Sequence, residues 1–171
     1  MAMRPGRTMR KLERPYTRIS KRKPRKSYVV GVPHRRIRIF EMGNKKKEFN
    51  TTMRLVSKHS VQIRDNALES ARIVSNKFLE RNIGTENYFF KILVYPHHVL
   101  REHSLATGAG ADRFSSGMRK AFGKPSGLAA RVKKGQGIMW VKLDKKNLNV
   151  GRKALKRADL KLPTTCTIKV E

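Results

Sequence analysis

The chain has 171 residues, of which 41 are lysine or arginine and 12 are aspartate or glutamate, giving a formal net charge of +29. Its single cysteine excludes an internal disulfide framework, and a mean hydropathy of −0.62 without an apolar run of about 18 residues argues against a transmembrane helix. The basic N-terminus lacks the apolar stretch of a secretory signal, and the length suits one domain with one core.

The positive charge is divided unevenly along the chain. Residues 1–38 carry a net +13 and residues 101–171 a net +12, whereas residues 48–100 carry only +2. Because each phosphate contact releases a condensed counterion, this distribution predicts a nucleic-acid partner at the two ends of the chain. A membrane surface is a weaker alternative because no broad amphipathic helix or lipidation motif is evident, and a merely basic soluble protein is the simplest one.

The head of the chain, residues 1–27, has little apolar periodicity and contains three prolines and a run of cations at 21–26. Such a segment cannot bury enough surface to fold by itself. It is either a disordered tail or localisation signal, or an arm that becomes ordered on a phosphate backbone. We favour a basic RNA- or DNA-binding arm, followed by a single α+β domain over residues 28–171.

The first part of the domain is predicted to be mostly strand. Residues 28–32 are β-branched and stop at Pro33, and residues 36–40 alternate basic and apolar side chains, with Arg36 and Arg38 facing outward. Gly43 and Asn44 predict a turn, and residues 53–57 a third strand.

A helix is predicted over residues 65–82. Asp65 or Asn66 can cap its start, with Glu69 at a box-like spacing, and Gly84 supplies the stop. The apolar residues at helical spacing are Ala67, Ala71, Val74 and Phe78.

The second half alternates predicted strands with glycine-rich segments. Residues 88–95 are an aromatic strand ended by Pro96, and residues 101–113 are a flexible loop of small residues. Residues 114–135 are rich in glycine and cations, with a short helical turn at 116–122. Strands at 138–143 and 164–170 flank a helix at 150–160, so two helices among about six strands predict an α+β domain.

No catalytic constellation is found. Phosphate-binding glycine motifs are absent, and His97, His98, His103 and Cys166 lack metal-ligand spacing, so neither a metal nor any other cofactor is predicted. The histidine pair is most simply a strand end with one residue packed and one exposed. An RNA-acting enzyme with one of the three histidines as general base remains an alternative without an oriented partner.

The type of nucleic acid follows from the arrangement of the charge. The aromatic residues of 88–95 lack the glycine-aromatic signature of a base-stacking sheet and are predicted to be core. Separated basic segments around one small core suit a folded RNA recognised by shape and phosphate. A free-standing protein that compacts DNA is the third hypothesis.

Six segments carry a resemblance to a known family: 37–43 (IRIFEMG), 95–101 (YPHHVLR), 110–114 (GADRF), 117–120 (GMRK), 123–132 (GKPSGLAARV) and 154–158 (ALKRA). Together they closely resemble large-subunit ribosomal protein ten-e, the archaeal and eukaryotic counterpart of bacterial large-subunit protein sixteen. The resemblance extends over essentially the whole chain. Without the long C-terminal extension of eukaryotic members, the sequence is expected to be archaeal.

The resemblance implies an α/β-hammerhead-like mixed sheet with two main helices. It implies a cytoplasmic, structural and non-enzymatic component of the large ribosomal subunit that supports assembly and tRNA positioning. Its expected partners are large-subunit rRNA, tRNA in the aminoacyl and peptidyl sites and neighbouring ribosomal proteins, without a homo-oligomer. In the family, the loop matching residues 101–112 extends toward the peptidyl transferase centre.

The candidate site residues follow from the charge pattern and from the resemblance. Gly117, Gly123 and Gly127 are expected to allow close approach of the backbone to rRNA. The candidate rRNA-binding residues are Arg4, Arg7, Arg10, Lys11, Arg14, Arg18, Lys21, Arg22, Lys23, Arg25, Lys26, Arg35, Arg36, Arg38, Arg119, Lys120, Lys124, Arg131, Lys133 and Lys134. The candidate residues of the loop near tRNA are Arg101, His103, Ser104, Gly108, Gly110, Asp112 and Arg113.

Overall fold

The computed structural model describes residues 4–13, 22, 29–106, 108–119 and 121–171. In this part of the chain, eight strands and two helices form. The elements are β1 (Glu41–Gly43), β2 (Thr51–Ser57), β3 (Val61–Arg64), α1 (Asp65–Ile83), β4 (Tyr88–Ile92), β5 (His98–Glu102), β6 (Lys124–Val132), β7 (Gly137–Leu143), α2 (Leu148–Asp159) and β8 (Cys166–Val170). None of the helices described is long and apolar enough to cross a membrane.

The strands form two sheets, and each described strand pair is antiparallel. The larger sheet has the order β1-β4-β7-β2-β8, and the smaller one has the order β3-β6-β5. Three short connections join the sheets, since β4 leads into β5, β2 leads into β3 and β6 leads into β7, and the last two meet at Ser57. The backbone of Ser57 bonds Gly135 and Gln136 at this crossing, with N···O distances of 2.8 and 3.0 Å. The predicted α+β class with two main helices is confirmed.

The helices cover one side of the larger sheet and pack against each other. Gly151 lets α2 lie close to the larger sheet, because a Cβ there would lie 2.9 Å from the Met53 sulfur in β2 and 2.5 Å from Leu143 Cδ2 in β7. The buried Ser75 hydroxyl donates to the Ala154 carbonyl at 3.2 Å and ties α1 to α2. Side chains from both sheets and both helices form one core, in which Tyr88, Phe90, Met139 and Leu155 are almost fully buried.

The predictions for residues 28–40 are wrong in part. Residues 29–32 and 36–40 form no strand, and pairing begins only at β1. Ile37 is fully buried as the alternation predicts, but Ile39 is 51% exposed, so the alternation does not continue. The segment meets the larger sheet only at its end, where the Phe40 carbonyl accepts from the Ile92 amide at 2.8 Å just before β1 pairs with β4.

Besides β1, which directly follows the predicted strand 36–40, three strands were not predicted. β3 lies between a turn and α1, β5 overlaps the start of the predicted loop, and β6 crosses the segment expected to be glycine-rich loop. Short or glycine- and proline-containing strands carry a weak periodic signal. The ladder accommodates Pro125 in β6 opposite Arg101 because the β5–β6 register shifts there.

The long helix begins and ends close to the predicted residues, but it begins differently. Its N-cap is Arg64, without a side-chain cap, and the Asp65 carboxylate instead accepts from the backbone amides of Asn66 and Arg36. Gly84 ends the helix as predicted, with a φ of +75° and its amide bonded to the Glu80 carbonyl. The residues at 117–119 form a hydrogen-bonded turn rather than a helix.

Candidate nucleic-acid interface

The smaller sheet has one face toward the core and the other toward the N-terminal segment. Side chains alternate along β3, so Ile63 enters the core while Gln62 and Arg64 point to the opposite face. On β5 and β6, His98 and Arg131 belong to this opposite face. Residues 4–13 are the described start of the predicted N-terminal arm and are called the arm from here on. They lie across this face and include a short 3-10 turn at Gly6–Met9.

Each strand of the smaller sheet contacts the arm. From β3, the Gln62 side-chain nitrogen donates to the carbonyls of Met9 and Lys11 at 3.1 and 2.9 Å. From β6, the Arg131 guanidinium donates to the Glu13 carbonyl at 2.9 Å. From β5, the Glu102 carboxylate pairs with Arg4 at 3.2 Å. The described part of the head is thus held by the protein itself.

The arm presents cations to solvent from this position. Arg4, Arg7, Arg10 and Lys11 are exposed, because the contacts to the sheet are made largely by backbone carbonyls. Next to the arm, the turn between β6 and β7 carries Lys133 and Lys134, which are also exposed; the Lys134 amide bonds the Ser60 hydroxyl at 3.0 Å. We call the arm together with Arg131, Lys133 and Lys134 the basic face.

A second group of cations precedes β1. Arg35, Arg36 and Arg38 are exposed, and the Arg35 guanidinium donates to the Tyr95 hydroxyl at 2.8 Å. The Arg36 amide bonds the buried Asp65 carboxylate at 2.9 Å, which fixes this segment at the start of α1. The predicted outward orientation of Arg36 and Arg38 is therefore observed although their segment is not a strand.

The end of β5 and the segment 114–123 form a compact loop root. The Arg101 guanidinium lies 3.1 Å from the centroid of the Phe122 ring and donates to the Phe122 carbonyl at 3.0 Å. The His103 ring contacts the Gly117 carbonyl at 2.7 Å. A Cβ on Gly123, whose φ is +78°, would lie 2.7–2.9 Å from backbone atoms of Glu102 and His103.

These contacts correct the start of the loop, whereas the approach of the glycines to rRNA stays a prediction. Gly123 does allow a close backbone approach, but to the protein's own β5, whereas Gly117 and Gly127 have open space around a built Cβ. The loop begins two residues later than predicted, because Arg101 and Glu102 are still paired in β5. The rest of the loop is exposed at Ser104, Gly108, Gly110, Asp112 and Arg113, with a 3-10 turn at Ala111–Arg113.

The candidate cations have few acidic partners. Among the candidate rRNA-binding residues that the structure describes, Arg4 alone forms an ion pair, with Glu102. The other described members are exposed: Arg7, Arg10, Lys11, Arg22, Arg35, Arg36, Arg38, Arg119, Lys124, Arg131, Lys133 and Lys134. Such cations are available to phosphate. The remaining candidates, Arg14, Arg18, Lys21, Lys23, Arg25, Lys26 and Lys120, lie outside the described residues.

The histidines and the cysteine do not form a catalytic or metal site within the described part of the chain. No group of three potential metal ligands occurs there. His97 is exposed and His98 is buried, as predicted; burial, with Arg131 nearby, lowers the pKa of His98. Burial raises the pKa of the half-buried Cys166 thiol to about 12, which disfavours the thiolate that a nucleophile or metal ligand needs.

Sequence reasoning missed two groups at this interface. The sequence did not indicate a role for Gln62, because a single glutamine in a strand that was not predicted has no distinguishing pattern. Phe114, Met118 and Phe122 are 86%, 70% and 69% exposed although they are large and apolar. A signal for them existed: these side chains are interspersed with glycine and cations rather than with other apolar residues, which is unusual for core.

Comparisons with known proteins agree with the resemblance in the sequence. The family described as ribosomal protein L16p/L10e matches residues 16–169. The large ribosomal subunit protein uL16 of Archaeoglobus fulgidus is 51% identical over 171 residues, which cover 100% of this chain and 94% of that protein. The proteins of the same name from Picrophilus torridus and Methanococcus maripaludis are 50% and 47% identical, over 92% and 99% of this chain and 90% and 95% of theirs.

Proposed function

Since the chain belongs to the ribosomal protein L16p/L10e family, we propose that it binds large-subunit rRNA through the basic face, the residues before β1 and the loop root. It is a structural protein of the large ribosomal subunit and not an enzyme. The family places it in the ribosome, and the contacts with rRNA are our proposal.

One observation carries the proposal: exposed cations surround the smaller sheet on three sides while their acidic neighbours are few. The arm lies over one face, Lys133 and Lys134 stand at one end, and Arg119 and Lys124 stand at the loop root. Phosphate contacts of this kind position a protein on folded RNA without reading its sequence. The rigid attachment of the arm to β3 and β6 lowers the entropy lost on binding.

We further propose that loop 103–113 faces tRNA acceptor ends near the peptidyl transferase centre. Its described residues are mostly exposed, and their small side chains and left-handed glycines suit a close approach to another backbone. The loop starts from a fixed point, because His103 contacts Gly117 and Arg101 contacts Phe122. A loop with a rigid root can position its tip.

The experiment is a salt titration of the full chain with large-subunit rRNA and with duplex DNA of equal length. Counterion release predicts that the logarithm of the association constant falls linearly with the logarithm of salt concentration. Tighter binding to rRNA than to the duplex at every salt concentration supports the proposal. Equal affinity for both would favour a DNA-compacting protein, and salt-insensitive binding would contradict phosphate contacts.

A further inference from the structure

The loop root contains a cavity whose two large aromatic side chains take no part in the phosphate contacts proposed above. Phe114 and Phe122 line it together with His103, Arg119 and Lys124, and its volume is about 610 Å³. This volume lies within the range of about 300–1,000 Å³ that is typical of pockets for small ligands. Folding of the protein by itself favours burial of large apolar side chains, so their exposure on an otherwise cationic surface needs an explanation.

Contacts within the folded protein hold both sides of the cavity in place. Gly123 packs against the backbone of Glu102 and His103, and the Arg101 guanidinium holds the carbonyl and the ring of Phe122. On the opposite side, the amide of Phe114 bonds the Ala111 carbonyl at 3.1 Å and ends the 3-10 turn. Both aromatic residues are therefore attached to ordered backbone.

We propose that this cavity holds an unstacked base of single-stranded RNA, with Phe114 as the stacking surface and Arg119 and Lys124 facing its flanking phosphates. The inference rests on the proposed rRNA-binding function and names the chemistry of one part of it. Aromatic side chains stack on any base because every base has a π-face. Recognition of RNA loops and bulges commonly uses such splayed bases.

Charge favours RNA over a protein as the occupant. Two exposed cationic side chains, Arg119 and Lys124, line the cavity together with the two phenylalanines. Glu102 is the acidic residue among those lining the cavity, and Arg4 already neutralises it at 3.2 Å. An apolar protein segment would gain nothing from these cations, whereas a nucleotide presents a flat apolar base joined to an anionic phosphate.

The test compares two oligoribonucleotides of about six nucleotides that differ in one property. One carries adenine bases and the other carries abasic sugars, so both present the same phosphates to the full chain. We expect the wild-type chain to bind the base-bearing strand about tenfold more tightly, in line with stacking of one base. Phe114→Leu, which keeps apolar area but removes the ring, should lose this preference, and Phe114→Tyr should keep it.

The matched control is Leu160→Ala, which removes another exposed apolar side chain outside the cavity and should leave the preference unchanged. Equal binding of the two strands by the wild-type chain would overturn the inference, as would an unchanged preference in Phe114→Leu. A Phe114→Leu chain that binds both strands normally but is retained poorly in large subunits would indicate a protein occupant instead.

The salt titration with rRNA separates this inference from the function on which it rests. Steep salt dependence together with equal binding of the two strands would overturn base stacking and leave phosphate binding in place. If the wild-type chain shows no salt-dependent binding to rRNA, the proposed function itself is contradicted.

Discussion

The Gln62 side-chain nitrogen lies 2.9 Å from the Lys11 carbonyl oxygen, so a buried amide in β3 holds the middle of the arm. The same nitrogen reaches the Met9 carbonyl, and the Gln62 backbone amide bonds the Arg10 carbonyl at 2.9 Å. One residue thereby bonds three consecutive residues of the arm. Because the bonds go to carbonyls, the cationic side chains remain available to RNA.

Removal of the Gln62 side chain should release the arm without unfolding the domain. Each lost hydrogen bond costs about 1 kcal/mol, and the two together should raise the exchange rate of the backbone amide of residue 62, which donates to the Arg10 carbonyl, about tenfold or more. Hydrogen exchange of this amide in Gln62→Ala measures the release of the arm directly. Gln136→Ala is the control, since Gln136 bonds the Lys133 amide and does not contact the arm. Unchanged exchange in Gln62→Ala would mean that other contacts hold the arm.

Neutralising the basic face should weaken binding to every RNA by a similar factor. The double variant Lys133→Gln, Lys134→Gln removes two exposed charges at the β6–β7 turn and should lower the salt slope by about one per charge. Lys77→Gln, Arg81→Gln removes the same charge from the exposed side of α1 and serves as the control. Equal losses in both pairs would indicate that total charge, and not the basic face, determines binding.

The close approach at Gly123 predicts a stability difference between two glycines of one segment. Gly123→Ala places a Cβ against the β5 backbone at a φ of +78° and should lower the free energy of unfolding by about 1–3 kcal/mol. Gly127→Ala meets no atom within 4 Å and should leave stability within about 1 kcal/mol of wild type. Urea denaturation compares them, and equal midpoints would refute the internal packing of Gly123.

Burial of His98 beneath the arm predicts a loss of stability in mild acid. The folded-state pKa lies below the ordinary value of 6.5, because burial and then Arg131 disfavour the charged ring. The unfolded chain therefore binds the proton more readily, and the free energy of unfolding should fall as pH drops below about 6.5. His98→Gln should flatten this fall between about pH 7.5 and 5.5, while the exposed His97→Gln keeps it. The opposite ranking would contradict the buried position.

The loop should matter for translation more than for folding. Replacing residues 104–110 with a glycine-serine linker of equal length removes no core side chain and keeps the His103 contact with Gly117. We expect unchanged thermal unfolding, unchanged rRNA affinity and slower peptide synthesis by ribosomes carrying the variant. Wild-type rates of synthesis would contradict a position of the loop near tRNA, and loss of folding would mean that the loop is structural.

Strong periodicity made four strands of the larger sheet, β2, β4, β7 and β8, and both helices predictable. The alternation of β4 and β7 places Tyr88, Phe90, Val141 and Leu143 in the core, and the apolar side of α2 is buried at Ala154, Leu155 and Ala158. Here local pattern and tertiary packing agree. The end of α1 at Gly84 was predictable for the same reason, because a glycine stop depends on the local sequence.

The smaller sheet and the arm were not predictable for a physical reason. β3 has four residues and β6 contains two glycine or proline positions, so neither carries a clear alternation. The arm contacts depend on Gln62 and Arg131, which stand opposite each other only after β3 and β6 pair. Likewise, the loop root depends on the approach of Gly123 to β5, 21 residues away from Glu102 in sequence. Charge alone identified the candidate cations, since phosphate contacts need exposure more than a defined element.

The central claim is that this protein contacts large-subunit rRNA through the arm, the β6–β7 turn and the loop root. Chemical cross-linking of isolated large subunits, read by mass spectrometry of peptide–nucleotide adducts, tests it most directly. We predict rRNA adducts within residues 4–13, at Lys133 and Lys134 and within residues 113–124, and far fewer at Lys77 and Arg81 on α1. Adducts concentrated on α1, or absent from chains that sediment with the large subunit, would contradict the claim.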